Sequence, residues 1–321
     1  MDVYAGLAAA HGQLTGAAVT IGSFDGVHLG HRKLIEWAIA HGRERGTRAA
    51  ALTFWPHPAQ VLAPKLAPPL ISNRARRIEL FESAGLDAVI EQPFDKAFAA
   101  ILPADFEKEI WDDVGARVVV VGYDFTYGKG RNGNVDTLRA AGAKRGAMLV
   151  VVPPVSVNGL VVSSTKVREF VLAGNVEAAR SLLGRPFDLE GSVVHGAGRG
   201  RTIGVPTANV AVEPSGSSAT LLPGIGVYAV RVRLPDGTWA MGACNVGLNP
   251  TFRPESTDGM SARSINVEVH VLDRSLDMYG QTLRLAFIAR LRAERRFPNV
   301  QALVAQIKAD IDETRSVLAA E

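Results

Sequence analysis

The chain has few of the features that mark membrane, secreted and disulfide-stabilised proteins. It has one cysteine, Cys244, among 321 residues, which excludes an intrachain disulfide and a zinc site built from several cysteines. No apolar run reaches the roughly 18 residues needed to span a bilayer. The first residues lack the basic start and long apolar stretch of a secretion signal. These absences predict a cytoplasmic protein that does not associate with membranes.

A large excess of charge is also missing. Lys and Arg number 35 and Asp and Glu 32, so the formal net charge is +3, although the pI is about 9.1. Weak basicity suits nucleic acid or phosphorylated small molecules. The basic residues are mostly arginine, whose forked donors fit phosphate oxygens, although genomic base composition can produce the same bias. A hydrophobic fraction of 47% argues against disorder.

The first half alternates apolar runs with amphipathic segments. Strands are predicted at 17–24, 48–55, 87–94, 118–121 and 148–155. Helices are predicted at 29–45, 73–84, 103–114 and 135–145. Apolar strands separated by helices are typical of a parallel sheet covered on both faces. The predicted fold is therefore α/β and Rossmann-like, with ligands bound at the carboxyl ends of the strands.

The pattern changes after a further helical segment at 163–183. Period-two alternation predicts strands at 228–234, 238–246, 265–273 and 283–291. A final helix has an apolar face formed by Val300, Leu303, Val304, Ile307 and Ile311. This half is predicted to be an antiparallel β-barrel with a terminal α-helix. At about 150 residues per domain, the predicted domains are 1–184 and 185–321.

The segment GSFDGVHLGH at 22–31 ends a predicted strand and begins a helix. Its glycines permit a tight turn and close approach of a ligand. The helix N-terminus offers N–H groups and partial positive charge to a phosphate. Since His28 and His31 are three residues apart, both rings can face one ligand. The pattern indicates displacement at phosphorus; a two-histidine metal site or two solvated histidines are the alternatives.

This segment resembles the HxGH signature of nucleotidylyltransferases. The longer string resembles that of bacterial bifunctional FAD synthetases, which combine riboflavin kinase with FMN adenylyltransferase. Further similar strings follow in the expected order over residues 17–315: TFWPHP at 53–58, GYDFTYG at 122–128, SSTKVR at 163–168, GRTIGVPTAN at 200–209, GVYAV at 226–230, NVGLNPTF at 245–252 and VEVHVLD at 267–273. The chain departs from the family pattern at Trp55, Val205, Asn249 and Arg274.

The resemblance implies that residues 1–184 adenylylate FMN with ATP and release pyrophosphate. The catalytic residues that it implies are His28, His31 and Arg168. The ATP contacts that it implies are Gly22, Phe24, Gly30, Ser164 and Thr165. The flavin contacts that it implies are Phe54, Pro56, Pro58, Asp124, Phe125 and Tyr127. For the three aromatic residues, packing in the core is the alternative.

The resemblance further implies that residues 185–321 phosphorylate riboflavin with ATP. Glu268 is then the base that accepts the proton of the ribityl hydroxyl. Thr207 and Asn209 are the implied Mg²⁺ ligands, because hydroxyl and amide oxygens suit that ion. They also contact ATP together with Gly204. Arg296 is expected to contact flavin; contact through Arg295, contact with phosphate, or a solvated helix start are the alternatives. The expected cofactor is Mg²⁺, and the expected partners are riboflavin, FMN and ATP.

Two other functions remain open at this stage. One is an enzyme with a single activity that retains its other module for substrate capture or structure. The other is a nucleic-acid-binding protein, suggested by the pI and the small barrel. Against the second, the β half is charge-neutral and has no aromatic–basic RNA motif. No nucleic acid or membrane partner is expected, and the sequence does not indicate an oligomeric state.

Overall fold

The computed structural model describes residues 1–196, 204–213, 219–248, 265–274 and 278–321. Contacts divide the chain into two units, one built on Met1–Ser164 and the other on Thr165–Glu213 and Thr220–Glu321. Within the described ranges, no helix is both long enough and apolar enough to cross a membrane.

The first unit alternates strands and helices along the chain. Its strands are β1 Asp2–Tyr4, β2 Ala18–Ile21, β3 Ala49–Trp55, β4 Ala88–Pro93, β5 Val118–Gly122, β6 Thr126–Tyr127, β7 Gly133–Asn134, β8 Met148–Val152, β9 Ser156–Val157 and β10 Leu160–Val161. Its helices are α1 Leu7–Ala10, α2 Leu29–Glu44, α3 Pro58–Leu62, α4 Arg74–Ser83, α5 Lys96–Ala99, α6 Pro103–Lys108 and α7 Val135–Ala143.

Six of these strands form one parallel sheet in the order β1-β4-β3-β2-β5-β8. The four valines of β5 are fully buried and alternate between two apolar clusters, one on each face of the sheet. A strand buried on both faces must be apolar at every position, which is why β5 reads as an unbroken valine run. The predicted α/β fold is confirmed.

The strand order places a topological switch in the middle of the sheet. From β2 the chain proceeds to β3 on one side, whereas β5 lies on the other side of β2. Connections that leave in opposite directions open a crevice at the carboxyl ends of such strands. The loop after β2 contains the two histidines, and the loop after β5 contains Asp124. Both predicted motifs therefore follow the strands that flank the switch.

The second unit is a closed antiparallel barrel with helices. Its helical segments are α8 Ser164–Leu172, α9 Val176–Leu183 and α10 Val300–Ala319. Its strands are β11 Phe187–Val194, β12 Ala208–Ala211, β13 Gly226–Arg233, β14 Trp239–Leu248, β15 Ile265–Val271 and β16 Thr282–Arg292. The barrel closes in the order β11-β12-β15-β14-β13-β16. The predicted barrel with a terminal helix is confirmed.

The terminal helix packs on the barrel through apolar and ionic contacts. Leu318 joins a small cluster with Ala229 and Ile288. Arg292 forms a two-pronged ion pair with Asp310, at 2.9 and 2.8 Å, and Asp310 is only 4% exposed. Val300, predicted to lie on the apolar face, is 57% exposed. The first turn of α10 therefore contributes less to packing than its sequence suggests.

The segment before the barrel packs with the barrel unit. The backbone N–H of Arg290 donates to the carboxylate of Glu177 in α9 at 2.9 Å. The N–H of Gly224 donates to the carbonyl of Val171 in α8 at 2.9 Å. The units that contacts define therefore change between Ser164 and Thr165. The functional boundary at 184/185 stays a prediction.

The structure adds short elements that the sequence pattern did not predict. Strand β1 and helices α1, α3 and α5 have only three to five residues each. The predicted helix at 103–114 is α-helical only to Lys108, and a π-helical turn follows at Glu109–Asp113. Such short elements depend on tertiary contacts more than on periodicity.

The buried thiol of Cys244 gives a test of barrel packing. Burial raises the pKa of this thiol well above its usual range, and the Glu268 carboxylate adds to the shift. Because a raised pKa lowers the thiolate fraction at pH 8, we expect iodoacetamide to label the folded chain at least about 100-fold more slowly than the urea-unfolded chain. Mass spectrometry measures both rates. Equal rates would contradict the packing of β14.

Candidate active sites

The loop between β2 and α2 has a backbone that requires external support. Phe24 and Val27 have φ angles of 52° and 39°. These values lie in the left-handed region of backbone conformation, which residues other than glycine rarely adopt. Each such residue costs about 1–3 kcal/mol and persists only where surrounding contacts fix it. A Cβ at Gly26 would come within 2.7 Å of the Ile71 side chain. The loop is therefore both strained and tightly enclosed.

Asp25 supplies part of that support. Its carboxylate is buried and accepts hydrogen bonds from the backbone N–H groups of Ile71 and Ser72, at 3.1 Å each. The N–H of Gly26 donates in turn to the Ser72 hydroxyl at 3.1 Å. A buried carboxylate needs such donors. Asp25 therefore fastens the histidine loop to the segment that precedes α4, a role that the sequence motif did not reveal.

The two histidines lie together at the start of α2. Their rings stack with centroids 3.6 Å apart and planes 13° apart. The Nδ1 atom of His28 accepts the backbone N–H of His31 at 3.2 Å, so His28 caps the helix. With Nδ1 accepting, the proton of a neutral His28 ring is on Nε2, which is then a donor. Both rings line one cavity.

Gly30 and Ser164 complete this polar end of the cavity. A Cβ at Gly30 would lie 3.1 Å from Cε1 of His28 and 3.2 Å from its Nδ1. The glycine therefore leaves room for the capping ring. Ser164 begins α8, and its hydroxyl donates to the carbonyl of Asp25 at 3.0 Å. Ser164 was predicted to contact phosphate; here its hydroxyl holds the histidine loop, and its position at the helix N-terminus is what it offers an anion.

The cavity has a volume of about 790 Å³ and a polar and an aromatic end. At the polar end, the wall includes five residues for which ATP contacts or catalytic roles are predicted: Gly22, His28, Gly30, His31 and Ser164. The aromatic end is formed by Phe54, Phe94, Phe98, Phe106, Phe125 and Tyr127, whose neighbouring ring centroids are 5.2–6.4 Å apart. Such a chamber suits a ligand with a large planar ring and an anionic tail.

The cavity wall includes both residues from the matched strings and residues outside them. Phe54, Pro58, Asp124, Phe125 and Tyr127, for which flavin contacts are predicted, line the cavity. Phe94 and Phe98 also line it, although no motif drew attention to them. They follow the neighbouring strand β4, so the rule that ligands bind at the carboxyl ends of strands was the signal that could have found them.

Two predicted contact residues are mainly packed in the core. Phe24 is fully buried and packs edge-on against His31 and Phe81, at 5.1 and 5.3 Å between centroids. Tyr127 is 6% exposed, and its hydroxyl bonds to Glu107 at 2.5 Å and to Thr137 at 3.0 Å. Burial, and then the bond to Glu107, raises the pKa of the Tyr127 phenol. A ligand can meet Tyr127 only through the ring surface on the cavity wall.

A second polar cluster lies on the barrel unit. Glu268 projects from β15 on the face opposite Val267 and Val269, which are buried. Its Oε2 accepts from the Thr207 hydroxyl at 3.4 Å, and it pairs in register with Asn209 of β12. The structure thus brings together the three residues predicted for phosphate, metal and proton chemistry. Antiparallel pairing of β12 with β15 accounts for this meeting.

Asn266 is the member of this cluster that sequence reasoning missed. Its side-chain amide donates to Oε1 of Glu268 at 2.5 Å and to Oδ1 of Asn209 at 3.3 Å. It precedes Glu268 by two positions, so the period of two places both on one face of the strand. That alternation was the available signal. Pro206 is held beside the cluster, because its carbonyl lies 2.7 Å from Nδ1 of His270.

The other predicted site residues are more exposed or lie elsewhere. Gly204 occupies an open turn with φ of 78°. Arg168 follows Ser164 by one helical turn, and Thr165 is exposed beside it. Arg296 is exposed after β16. Pro56 precedes Pro58 but does not line the described cavity wall. The roles of these residues stay predictions, and residues 200–203 and 249–252 of the matched strings lie outside the described residues.

One further group has the geometry of a metal site. Among the described His, Cys, Asp and Glu side chains, His11, Glu109 and Asp113 bring one ligand atom each within 4.8 Å of one another. The ammonium of Lys108 lies 2.6 Å from the Asp113 carboxylate, and His11 lies 2.8 Å from Glu109. The group is thus a partly exposed ion-pair cluster, separate from both sites described above.

Known proteins match both units of this chain. A family model described as FAD synthetase matches residues 11–166, and one described as riboflavin kinase matches residues 183–318. A protein of Bacillus subtilis named bifunctional riboflavin kinase/FMN adenylyltransferase is 35% identical over 302 residues, covering 92% of this chain and 91% of its own. The chain belongs to this bifunctional family.

Another member of the family and a solved structure also match this chain over nearly its whole length. The riboflavin kinase/FMN adenylyltransferase of Escherichia coli K12 is 34% identical, covering 92% of this chain and 90% of its own. A crystal structure described as a macrolide-efflux protein from Streptococcus pneumoniae has a TM-score of 0.79 at 32% identity, with 94% of each chain covered. The family's two modules are thus matched in one continuous arrangement along the chain.

Substitution of Gly30 tests the geometry of the histidine pair. In Gly30→Ala, the new methyl group must displace the His28 ring, so we expect FAD formation to slow by roughly tenfold or more. Alanine is the better helix former by about 1 kcal/mol, which offsets the cost of disturbing the His28 cap, so stability should change by no more than about 1 kcal/mol. Steady-state kinetics and thermal unfolding measure both, with exposed Lys33→Ala on the same helix as the control. Unchanged FAD formation would show that the ring position is not critical.

Proposed function

We propose that this chain makes FAD from riboflavin in two ATP-dependent steps. The barrel unit phosphorylates riboflavin to FMN, and the α/β unit adenylylates FMN to FAD and releases pyrophosphate. Membership of the bifunctional family supports both activities. The observation that carries the assignment is that each unit has its own cluster of phosphate-chemistry residues, around His28 and around Glu268. The proposed functional domains are 1–184 and 185–321.

In the adenylylation step, an oxygen of the FMN phosphate attacks the α-phosphorus of ATP. The bond from that phosphorus to the β-phosphate bridging oxygen breaks, and pyrophosphate leaves. We assign His28 and His31 to the oxyanion charge that develops, since stacked rings at a helix N-terminus present donors and positive potential there. Arg168 and the start of α8 are proposed to hold the departing pyrophosphate. The aromatic end receives the isoalloxazine ring.

In the kinase step, the ribityl 5′-hydroxyl attacks the γ-phosphorus of ATP and ADP leaves. Glu268 is proposed to accept the hydroxyl proton, which needs a carboxylate oxygen within hydrogen-bonding reach of the substrate. The bond from Asn266 to Oε1 supports this role, because it fixes the carboxylate and directs Oε2 toward Thr207. Arg296 is proposed to contact flavin from the segment after β16.

Mg²⁺ is proposed as the cofactor of the kinase site. The donor set fits, because Thr207, Asn209 and Glu268 supply hydroxyl, amide and carboxylate oxygens within one hydrogen-bonded cluster. When bound, the ion neutralises phosphate charge. Thr207 and Asn209 would hold it beside the ATP phosphates. A cytoplasmic location completes the proposal; a chain whose one cysteine, Cys244, is buried and cannot form an intrachain disulfide is consistent with it.

Paired substitutions test the assignment of the two sites. His28→Ala is expected to lower FAD formation from FMN by at least about 100-fold while riboflavin phosphorylation continues. Glu268→Ala is expected to lower FMN formation by about 100-fold or more while supplied FMN is still adenylylated. Chromatography of the products from riboflavin or FMN with ATP and Mg²⁺ measures both activities in each variant.

Matched controls come from the same elements. His41→Ala changes a histidine of α2 that does not line the described cavity wall, and Glu313→Ala changes an exposed carboxylate of α10. Both are expected to keep both activities. If either test substitution stopped both reactions in a folded chain, independent sites would be excluded. If neither reaction occurred in the unmodified chain, the proposed function itself would be wrong.

The metal assignment has a separate test. Thr207→Val removes one oxygen ligand with little change in side-chain volume, so we expect the Mg²⁺ concentration for half-maximal kinase activity to rise by roughly tenfold. The Mg²⁺ dependence of FAD formation from FMN should not change, because Thr207 belongs to the barrel unit. Equilibrium dialysis with Mn²⁺ gives a readout that does not depend on turnover. Unchanged metal affinity would remove Thr207 from the ligand set.

A further inference from the structure

Arg77 is a buried cation that bonds to two of the loops forming the α/β active site. It lies on α4, and its side chain is 3% exposed. Its Nη1 donates to the carbonyl of Ser23 at 3.0 Å, and its Nη2 donates to the carbonyl of Phe54 at 3.1 Å. One planar guanidinium therefore spans the end of β2 and the end of β3, a geometry that a forked donor is suited to make.

The two carbonyls belong to residues at the ends of two neighbouring strands, and both residues line the cavity. Ser23 immediately precedes the strained turn that leads to His28, and it lines the polar end. Phe54 lines the aromatic end. The hydroxyl of Thr53 also donates to the Ser23 carbonyl, at 3.2 Å, so the two strand ends are joined twice. Arg77 thereby fixes the spacing between the nucleotide-binding turn and the flavin-binding strand.

A buried charge at this position requires a partner, and β4 provides it. The Glu91 carboxylate, 7% exposed, lies 3.7 Å from Nη2 of Arg77. Arg74, whose side chain is 58% exposed, bonds to the same carboxylate at 2.5–2.6 Å, whereas the bonds to the two carbonyls come from Arg77. Burial lowers the pKa of Arg77, while the carboxylates of Asp25 and Glu91 oppose the shift. The Glu91 carboxylate therefore stabilises the buried guanidinium of Arg77 in the position from which it bonds to the two carbonyls.

We propose that Arg77 is a positioning residue for FMN adenylylation, which sets the distance between the bound flavin phosphate and the histidine pair. The proposal rests on the assignment of that reaction to this cavity. Rates of transfer between two bound substrates depend steeply on alignment, and a displacement of about 1 Å costs roughly 100-fold. Binding of each substrate alone depends on only one of the two loops. Loss of Arg77 should therefore act on kcat and leave KM nearly unchanged.

The test compares four variants of the full chain in both reactions. In Arg77→Met, we expect kcat for FAD formation to fall by about 100-fold, with KM for FMN and ATP within about threefold. Arg77→Lys keeps the charge but not the fork, so about a tenfold loss is expected. Arg74→Met is the matched control, with kcat within about twofold of the unmodified chain. Riboflavin phosphorylation by the barrel unit should stay unchanged in every variant.

A fourth variant separates positioning from stability. Arg77→Met leaves the buried Glu91 carboxylate with Arg74 as its remaining ion-pair partner of the two named above, and this loss can destabilise the unit. Arg77→Met combined with Glu91→Gln removes that charge, so the unfolding temperature should recover while kcat does not. Thermal unfolding gives the folded fraction of each variant, and an FMN-binding titration gives the fraction that binds substrate. The value of kcat is then calculated per binding-competent molecule.

The outcomes are distinct. Recovery of kcat together with stability in the double variant, or unchanged kcat in Arg77→Met, would overturn the positioning role. A parallel rise in KM without loss of kcat would overturn it as well. If His28→Ala failed to slow FAD formation, the assignment of the cavity would fail first. If His28→Ala slowed it and the double variant did not, only the role of Arg77 would fail.

Discussion

The α/β site depends on keeping a strained turn in place at the end of β2. Phe24 and Val27 occupy left-handed backbone conformations, which a free loop would abandon. Hydrogen bonds from three directions prevent this: Asp25 accepts from the segment before α4, Ser164 donates from α8, and Arg77 donates from α4. The histidines follow this turn directly. Their stacking and the helix cap are therefore consequences of how the turn is held.

The same turn connects the chemistry to the sheet. Parallel strands end at one edge, and the order β3-β2-β5 opens a crevice there. The turn after β2 forms its polar end, and side chains after β3, β4 and β5 form its aromatic end. One fold property thus sets the two histidines and a group of aromatic side chains in the wall of one cavity. That juxtaposition is what transfer between a nucleotide and a flavin phosphate requires.

In the barrel, strand alternation assembles the polar cluster. Every second side chain of β15 is buried in the barrel core, so Asn266, Glu268 and His270 lie on the outer face. Pairing with β12 then places Asn209 opposite Glu268. Here strand register assembles the polar cluster, and no strained backbone is needed in the described part of it. The two sites therefore respond to different kinds of damage: lost loop contacts in one, shifted register in the other.

The sequence predicted much of this because the informative residues are adjacent along the chain. His28, Gly30 and His31 belong to one helix start, and Glu268 lies on the polar face of an alternating strand, so local geometry fixes their placement. Phe94 and Phe98 were missed because each reaches the cavity from a segment with no motif. Arg77 belongs to no motif and was therefore missed, although its spacing from Leu80 and Phe81 puts it on the buried face of α4.

By itself, the sequence determined the two fold classes, which follow from periodicity. The order of the two modules and the chemistry expected of each came from the strings that resemble the bifunctional family. Only the tertiary structure decided that Ser164 holds the histidine loop, that Tyr127 is largely a core residue, and that Arg77 joins two strand ends. Such roles depend on which distant backbone groups meet a side chain. Long-range packing sets those meetings, and no local pattern encodes them.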